Sequence, residues 1–126
     1  MKGEKYMNYY IYVDDIRKDY KWFNSHFSRK YYTPIICTSY QSTIDTIEKI
    51  LRENPNANIF LDLDHDLGDL EILTHGTTSE KTGYDICMYV IKNKIQLTGF
   101  HIHSMNPVGA TRMNDALVRA GYVRYF

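Results

Sequence analysis

Carboxylates collect at two places in this 126-residue chain where apolar runs stop abruptly. The run Tyr9 to Val13 ends in Asp14-Asp15, and the run Asn58 to Leu63, which holds Asp62, ends in Asp64-His65-Asp66. A third short run, Phe100-His101-Ile102-His103, leads into Ser104-Met105-Asn106-Pro107-Val108-Gly109. Acids that meet without compensation raise one another's pKa, so a cation is the natural occupant of the place where they converge. Hard oxygen donors with room for water suit Mg²⁺ or Mn²⁺, and Asp14, Asp15 and Asp64 are the expected donors. His103 has the chemistry of a general acid or base, or of a donor to phosphate, and Ser104 can hydrogen-bond to the same group. The competing reading of His103 is a buried ring bonded to a main-chain carbonyl. Asn106-Pro107 sets a tight turn, and Gly109 lets main chain approach a ligand or the next helix. Amides at the start of that helix favour an anion such as phosphate.

Other candidates are read as structural. Asp19, Asp45, Asp69 and Asp85 fit helix caps or solvated charges. Asp62 shares a strand side with Asp64, but alternation does not say whether it reaches the cleft, and the acid nearer the tip is better placed. His101 lies inside its strand and is taken as structural, while His75 stays open. No further ligands at zinc spacing accompany the histidines.

Positioning these residues requires strands that end together. Tyr9 to Val13, Thr33 to Cys37, Asn58 to Asp64 and Phe100 to His103 read as strands, the third nearly continuous in apolar residues, as a strand covered on both faces should be. Helical spacing appears from Asp19 to Arg29, and again after a Ser39 or Ser42 cap, where Ile44, Ile47, Ile50 and Leu51 form one stripe. It recurs from Gly83 to about Lys94 and from Ala110 to Ala120, where Gly121 is a natural stop. The segment Tyr122 to Phe126 can add a last strand. Leu70 to Thr82 reads as a long exposed loop, suggestive of a lid. Strands alternating with helices predict one α/β domain over residues 1–126, a doubly wound parallel sheet of about five strands with helices on both faces. In such sheets ligands gather outside the carboxyl ends of the strands.

Composition narrows the function classes. Lys plus Arg and Asp plus Glu both number 15, so no basic excess points to generic nucleic-acid or membrane-surface binding. Hydrophobic residues at 44% and charged ones at 24% are ordinary for a globular chain. The 12 tyrosines suit half-buried strand packing better than a base-stacking platform, which needs basic interleaving. Cys37 and Cys87 sit in apolar runs as small hydrophobes, which fits a reducing compartment. No apolar run approaches the roughly 18 residues of a membrane span, and the start lacks a signal-peptide pattern. A cytoplasmic protein is expected.

Val13-Asp14-Asp15, the strand Ile59 to Asp64 and the helix opening at Thr82-Gly83-Tyr84-Asp85 resemble receiver domains of two-component response regulators. Leu63-Asp64-His65-Asp66-Leu67-Gly68 and His103-Ser104-Met105-Asn106-Pro107-Val108-Gly109 resemble more closely the cyclic-phosphate-processing receiver-like branch, from about Tyr9 to Gly121. The resemblance implies a flavodoxin-like three-layer sandwich and an acidic pocket for a divalent metal. It places Asp64 at the phospho-acceptor position, Asp14 and Asp15 at the metal-binding pair, and Ser104 near the switch hydroxyl. Ordinary receivers carry a Lys after their last strand; here Arg112 or His103 is the available substitute. The implied function is binding, and potentially hydrolysis, of a small phosphate ligand such as a cyclic nucleotide. Asp64, His103 and Ser104 would be the catalytic groups, with His65, Asp66, Asn106, Gly109 and Arg112 around the ligand. The alternatives are a nucleotide sensor or sponge without turnover, and a degenerate receiver acting through protein contacts, in which the tyrosines would form an interface; a homodimer is a further possibility.

Overall fold

The computed structural model describes residues 7–15, 21–28, 30–67 and 81–126. Expectations for Asp19, Gly68, Asp69, His75 and most of the segment 70–82 fall outside them. The elements are β1 (Asn8–Val13), α1 (Lys21–His26), β2 (Thr33–Cys37), α2 (Tyr40–Glu53), β3 (Asn58–Leu63), α3 (Gly83–Lys92), β4 (Gly99–Ile102) and α4 (Pro107–Arg119). All strand pairs are parallel, in the order β2-β1-β3-β4. This is the receiver-like, flavodoxin-like arrangement, with one strand fewer than expected. Residues 122–126 contribute only an isolated parallel bridge, Phe100 to Arg124. It is held by Phe100 N–H to the Val123 carbonyl at 2.9 Å and Tyr125 N–H to the Phe100 carbonyl at 2.7 Å. β4 is four residues long, so its outer edge offers few pairing positions.

Alternation along the strands separates two chemically different faces. Ile11, Val13, Ile59, Leu61, Leu63, Phe100 and Ile102 form one aliphatic core with Ile47 and Ile50 of α2, Ile86 and Val90 of α3, and Met113 and Leu117 of α4. The opposite face is aromatic: Tyr10, Tyr12 and Phe60 pack with Phe23 of α1, and Phe27 and Tyr32 lie against them. Tyr10 meets Phe23 edge-on at 4.7 Å and stacks on Phe60 at 5.3 Å. The rings of these tyrosines therefore belong to the packing of that face. Pairing of Tyr12 with Asp62, and of Asp62 with His101, sets an acid and a histidine on the same aromatic face.

The helices begin where side chains satisfy their first amides. Ser39 caps α2 in a reciprocal box with Ser42, and Thr82 caps α3 in a box with Asp85. Asp85 is thus a cap, as its position suggested. The last helix starts at Pro107 instead of Ala110, a correction with a plain cause. Asn106 is its N-cap and Pro107 its first residue, where the missing N–H and fixed φ of proline cost nothing. Among the described residues no helix is long and apolar enough to cross a membrane, and both cysteines are buried free thiols.

Candidate functional site

Three main-chain bonds carry the parallel ladder one residue beyond the strands. Asp14 N–H reaches the Cys37 carbonyl at 3.1 Å, Asp64 N–H the Val13 carbonyl at 3.0 Å, and His103 N–H the Leu63 carbonyl at 3.0 Å. The ends of β1, β3 and β4 therefore place Asp14, Asp64 and His103 side by side. Each is an even step from the aromatic-face residues of its own strand, so all three belong to that side. One ligand atom from each lies within 4.8 Å of the others. Asp14 and Asp64 are buried, at 1% and 6% exposure.

His103 is held on three sides. Its Nδ1 is 2.5 Å from Asp62 Oδ1 and its Nε2 is 3.0 Å from Asp14 Oδ2. The Tyr12 ring stacks on it at 4.6 Å, 7° from parallel. Asp62 in turn accepts the Tyr10 hydroxyl on Oδ2. His103 is bonded to carboxylates, not to a main-chain carbonyl. Burial alone would lower its pKa, but the hydrogen bond and charge of Asp62, with the charges of Asp14 and Asp64, carry it above the ordinary value. Burial, then repulsion from Asp14, raises Asp64; His103, the Ser104 hydroxyl and the Asp66 main chain offset part of that. The cluster thus holds an excess of negative charge that His103 meets with a proton.

A second group lies beside it. His65 Nδ1 is 2.8 Å from Asp66 Oδ1, a bond that, against the opposing effect of burial, holds the Asp66 carboxyl below the usual range. Asn106 Nδ2 approaches the same oxygen at 3.3 Å, while Asn106 Oδ1 accepts Gly109 N–H at 2.9 Å. Asn106 N–H donates to Ser104 Oγ at 3.1 Å. A Cβ on Gly109 would stand 2.4 Å from the His65 ring, so this glycine admits the imidazole. With Pro107 lacking an N–H and the Gly109 N–H taken by Asn106, the amino end of α4 is largely satisfied by its own chain.

Of the expected site residues, Asp14, Asp64 and His103 converge, and Ser104 borders Asp64. His65, Asp66, Asn106 and Gly109 form the neighbouring group. Asp15 is buried at 6% exposure but does not join the three convergent donors. Arg112 lies over the Tyr84 ring, 4.3 Å from its centroid, while His103 stands beside the acids. Asp62, left open by the sequence, reaches the site through His103, and Tyr10 and Tyr12 were not expected there. Their signal was parity: each stands an even number of residues before Asp14 or Asp64 on its strand.

A family model for the cyclic-phosphate processing receiver domain matches residues 9–119. The chain belongs to this receiver family. No curated protein and no solved structure matches the chain.

The donor set of this receiver domain suits a divalent ion. Bonds of about 2.1 Å allow donors no more than about 4.2 Å apart, so the three need draw in only slightly. Two carboxylates with one imidazole suit Mn²⁺, which accepts oxygen and nitrogen, and are less typical of Mg²⁺. The nitrogen bears on the choice of ion because His103 Nε2 is presented towards Asp14.

Proposed function

We propose that this receiver domain holds a divalent cation through Asp14, Asp64 and His103 and hydrolyses a cyclic phosphate ester such as a cyclic nucleotide. The observation that carries the reading is the convergence of those three ligand atoms within 4.8 Å at the carboxyl ends of adjacent parallel strands. Membership of the cyclic-phosphate processing family supports the substrate class. A bound divalent cation supplies charge opposite phosphoryl oxygens and lowers the pKa of water. In the reaction a water oxygen bonds to phosphorus and gives up a proton to solvent, one ring P–O bond breaks, and the leaving oxygen takes a proton from solvent or from His103. Asp14 and Asp64 would hold the positive charge of the cation, Ser104 steadies the Asp64 side, and Asn106 ties the start of α4 to Asp66.

The 3.0 Å approach of His103 Nε2 to Asp14 favours a second use of the ring, as the proton donor to the leaving oxygen. One nitrogen cannot do both at once. The test is calorimetric titration with Mn²⁺ and Mg²⁺, alongside ³¹P NMR of cyclic 2′,3′- and 3′,5′-nucleotides incubated with the protein. Asp64→Ala should lose both cation binding and turnover. His103→Gln should lose cation binding at least tenfold if the ring is a donor, and turnover alone if it is the acid. Retention of nucleotide without conversion would replace hydrolysis by sensing, and no binding of cation or nucleotide would overturn the proposal.

A further inference from the structure

Asp62 lies in the interior of β3 at 1% exposure, on the aromatic face, where a valine or phenylalanine would pack without desolvating a charge. Buried carboxylates are costly unless fully bonded. Both oxygens of Asp62 are engaged: Oδ2 accepts the Tyr10 hydroxyl, and Oδ1 meets His103 Nδ1 at 2.5 Å. An acid that accepts the Tyr10 hydroxyl on Oδ2 and has no hydrogen of its own to give accepts one from Nδ1 on Oδ1. Nε2 also faces a carboxylate, but at 3.0 Å from Asp14 against 2.5 Å for Nδ1 and Asp62, so in the neutral ring the shorter bond keeps its hydrogen and the lone pair falls on Nε2. Tyr12, parallel to the ring at 7°, fixes its plane.

From this geometry we infer that Asp62, anchored by Tyr10, is a positioning residue that sets the tautomer of His103 and aims its Nε2 at the Asp14–Asp64 cluster. The inference rests on the proposed cation site for its consequence, but its central statement concerns the ring alone. A partner on the remote nitrogen of a ligating histidine commonly changes metal affinity by about 10- to 100-fold. Asparagine at this position is nearly isosteric but can donate through its amide, which permits the opposite tautomer.

The decisive measurement is a long-range ¹H–¹⁵N spectrum of the metal-free protein in alkaline solution, where the His103 ring is neutral. The expected result is a protonated Nδ1 and a bare Nε2; the reverse overturns the inference without recourse to any variant. In Asp62→Asn the proton should move to Nε2, and Mn²⁺ affinity should fall about 10- to 100-fold. Tyr10→Phe should keep the wild-type tautomer with a smaller loss. A folded Asp62→Asn with unchanged tautomer and unchanged affinity overturns the inference. If the wild type binds no Mn²⁺, the cation site fails, yet the wild-type spectrum still decides the role of Asp62. Should Asp62→Asn not fold, that same spectrum decides it.

Discussion

His103 and Asp64 both favour their protonated forms in the fold, which gives the cation-free protein a definite response to pH. The His103 pKa is raised above 6.5, so its contribution to stability is complete below that pH and is lost as pH rises through the folded value. Asp64, raised above 3.8, contributes fully below that value and loses its contribution as pH climbs through its own folded value. The two slopes have the same sign. Thermal melting in EDTA should give a lower Tm at about pH 8.5 than at about pH 5.5. His103→Gln should flatten the difference, and an identical slope in that variant would remove His103 from the account. The acids at strand ends were legible because an apolar run that stops at a carboxylate announces its own tip. Asp62 was only half legible: alternation gives its side, but not the reach of His103 back from the next strand. The contact of Arg112 with Tyr84 was not legible, because sequence spacing cannot show that a guanidinium will settle on a particular ring.

Two helix starts hold the site through glycines with different neighbours. A Cβ on Gly83, the first residue of α3, would lie 2.1 Å from the Asp64 carbonyl oxygen, which is main chain and cannot swing away. On Gly109 it would meet the side-chain ring of His65. Gly83→Ala should therefore displace the β3 tip and cost more stability than Gly109→Ala, each within or near the roughly 1–3 kcal/mol of overpacked sites. Chemical denaturation of both variants gives the comparison, and equal losses would contradict it. Asn106→Ala should cost about 1 kcal/mol through loss of the cap. Most elements followed from periodicity and caps. The start of α4 did not, because Asn-Pro serves equally as a turn and as a cap followed by a first helical residue. The final strand did not either, since pairing along an edge depends on how much edge the neighbour offers.

Across the whole molecule, the sheet divides an aliphatic core from an aromatic one, and both thiols lie within structure. Burial pushes the Cys87 thiol from 9.0 up to about 12, and raises Cys37 as well. Native protein at about pH 8 should react with a disulfide reagent only as fast as it opens, whereas denatured protein should react at both thiols at once. Rapid labelling of Cys87 in the native state would show that the α3 side of the core is not closed. The alternating order of strands and helices made this layering legible. The identity of the aromatic face did not emerge until register placed Tyr10, Tyr12, Phe60 and Asp62 together.

The contact between Asp14 and His103 spans 89 positions of the chain. A polypeptide emerging from the ribosome carries the first acid long before it has the histidine, and the second acid arrives midway. No shorter stretch contains the complete set. Capture of an ion through all three donors therefore cannot guide the early chain into shape; it can only fasten a sheet whose fourth strand is already in place. At the proposed cation site, loading would be a late event in the life of each molecule, and the ion would report that folding is finished.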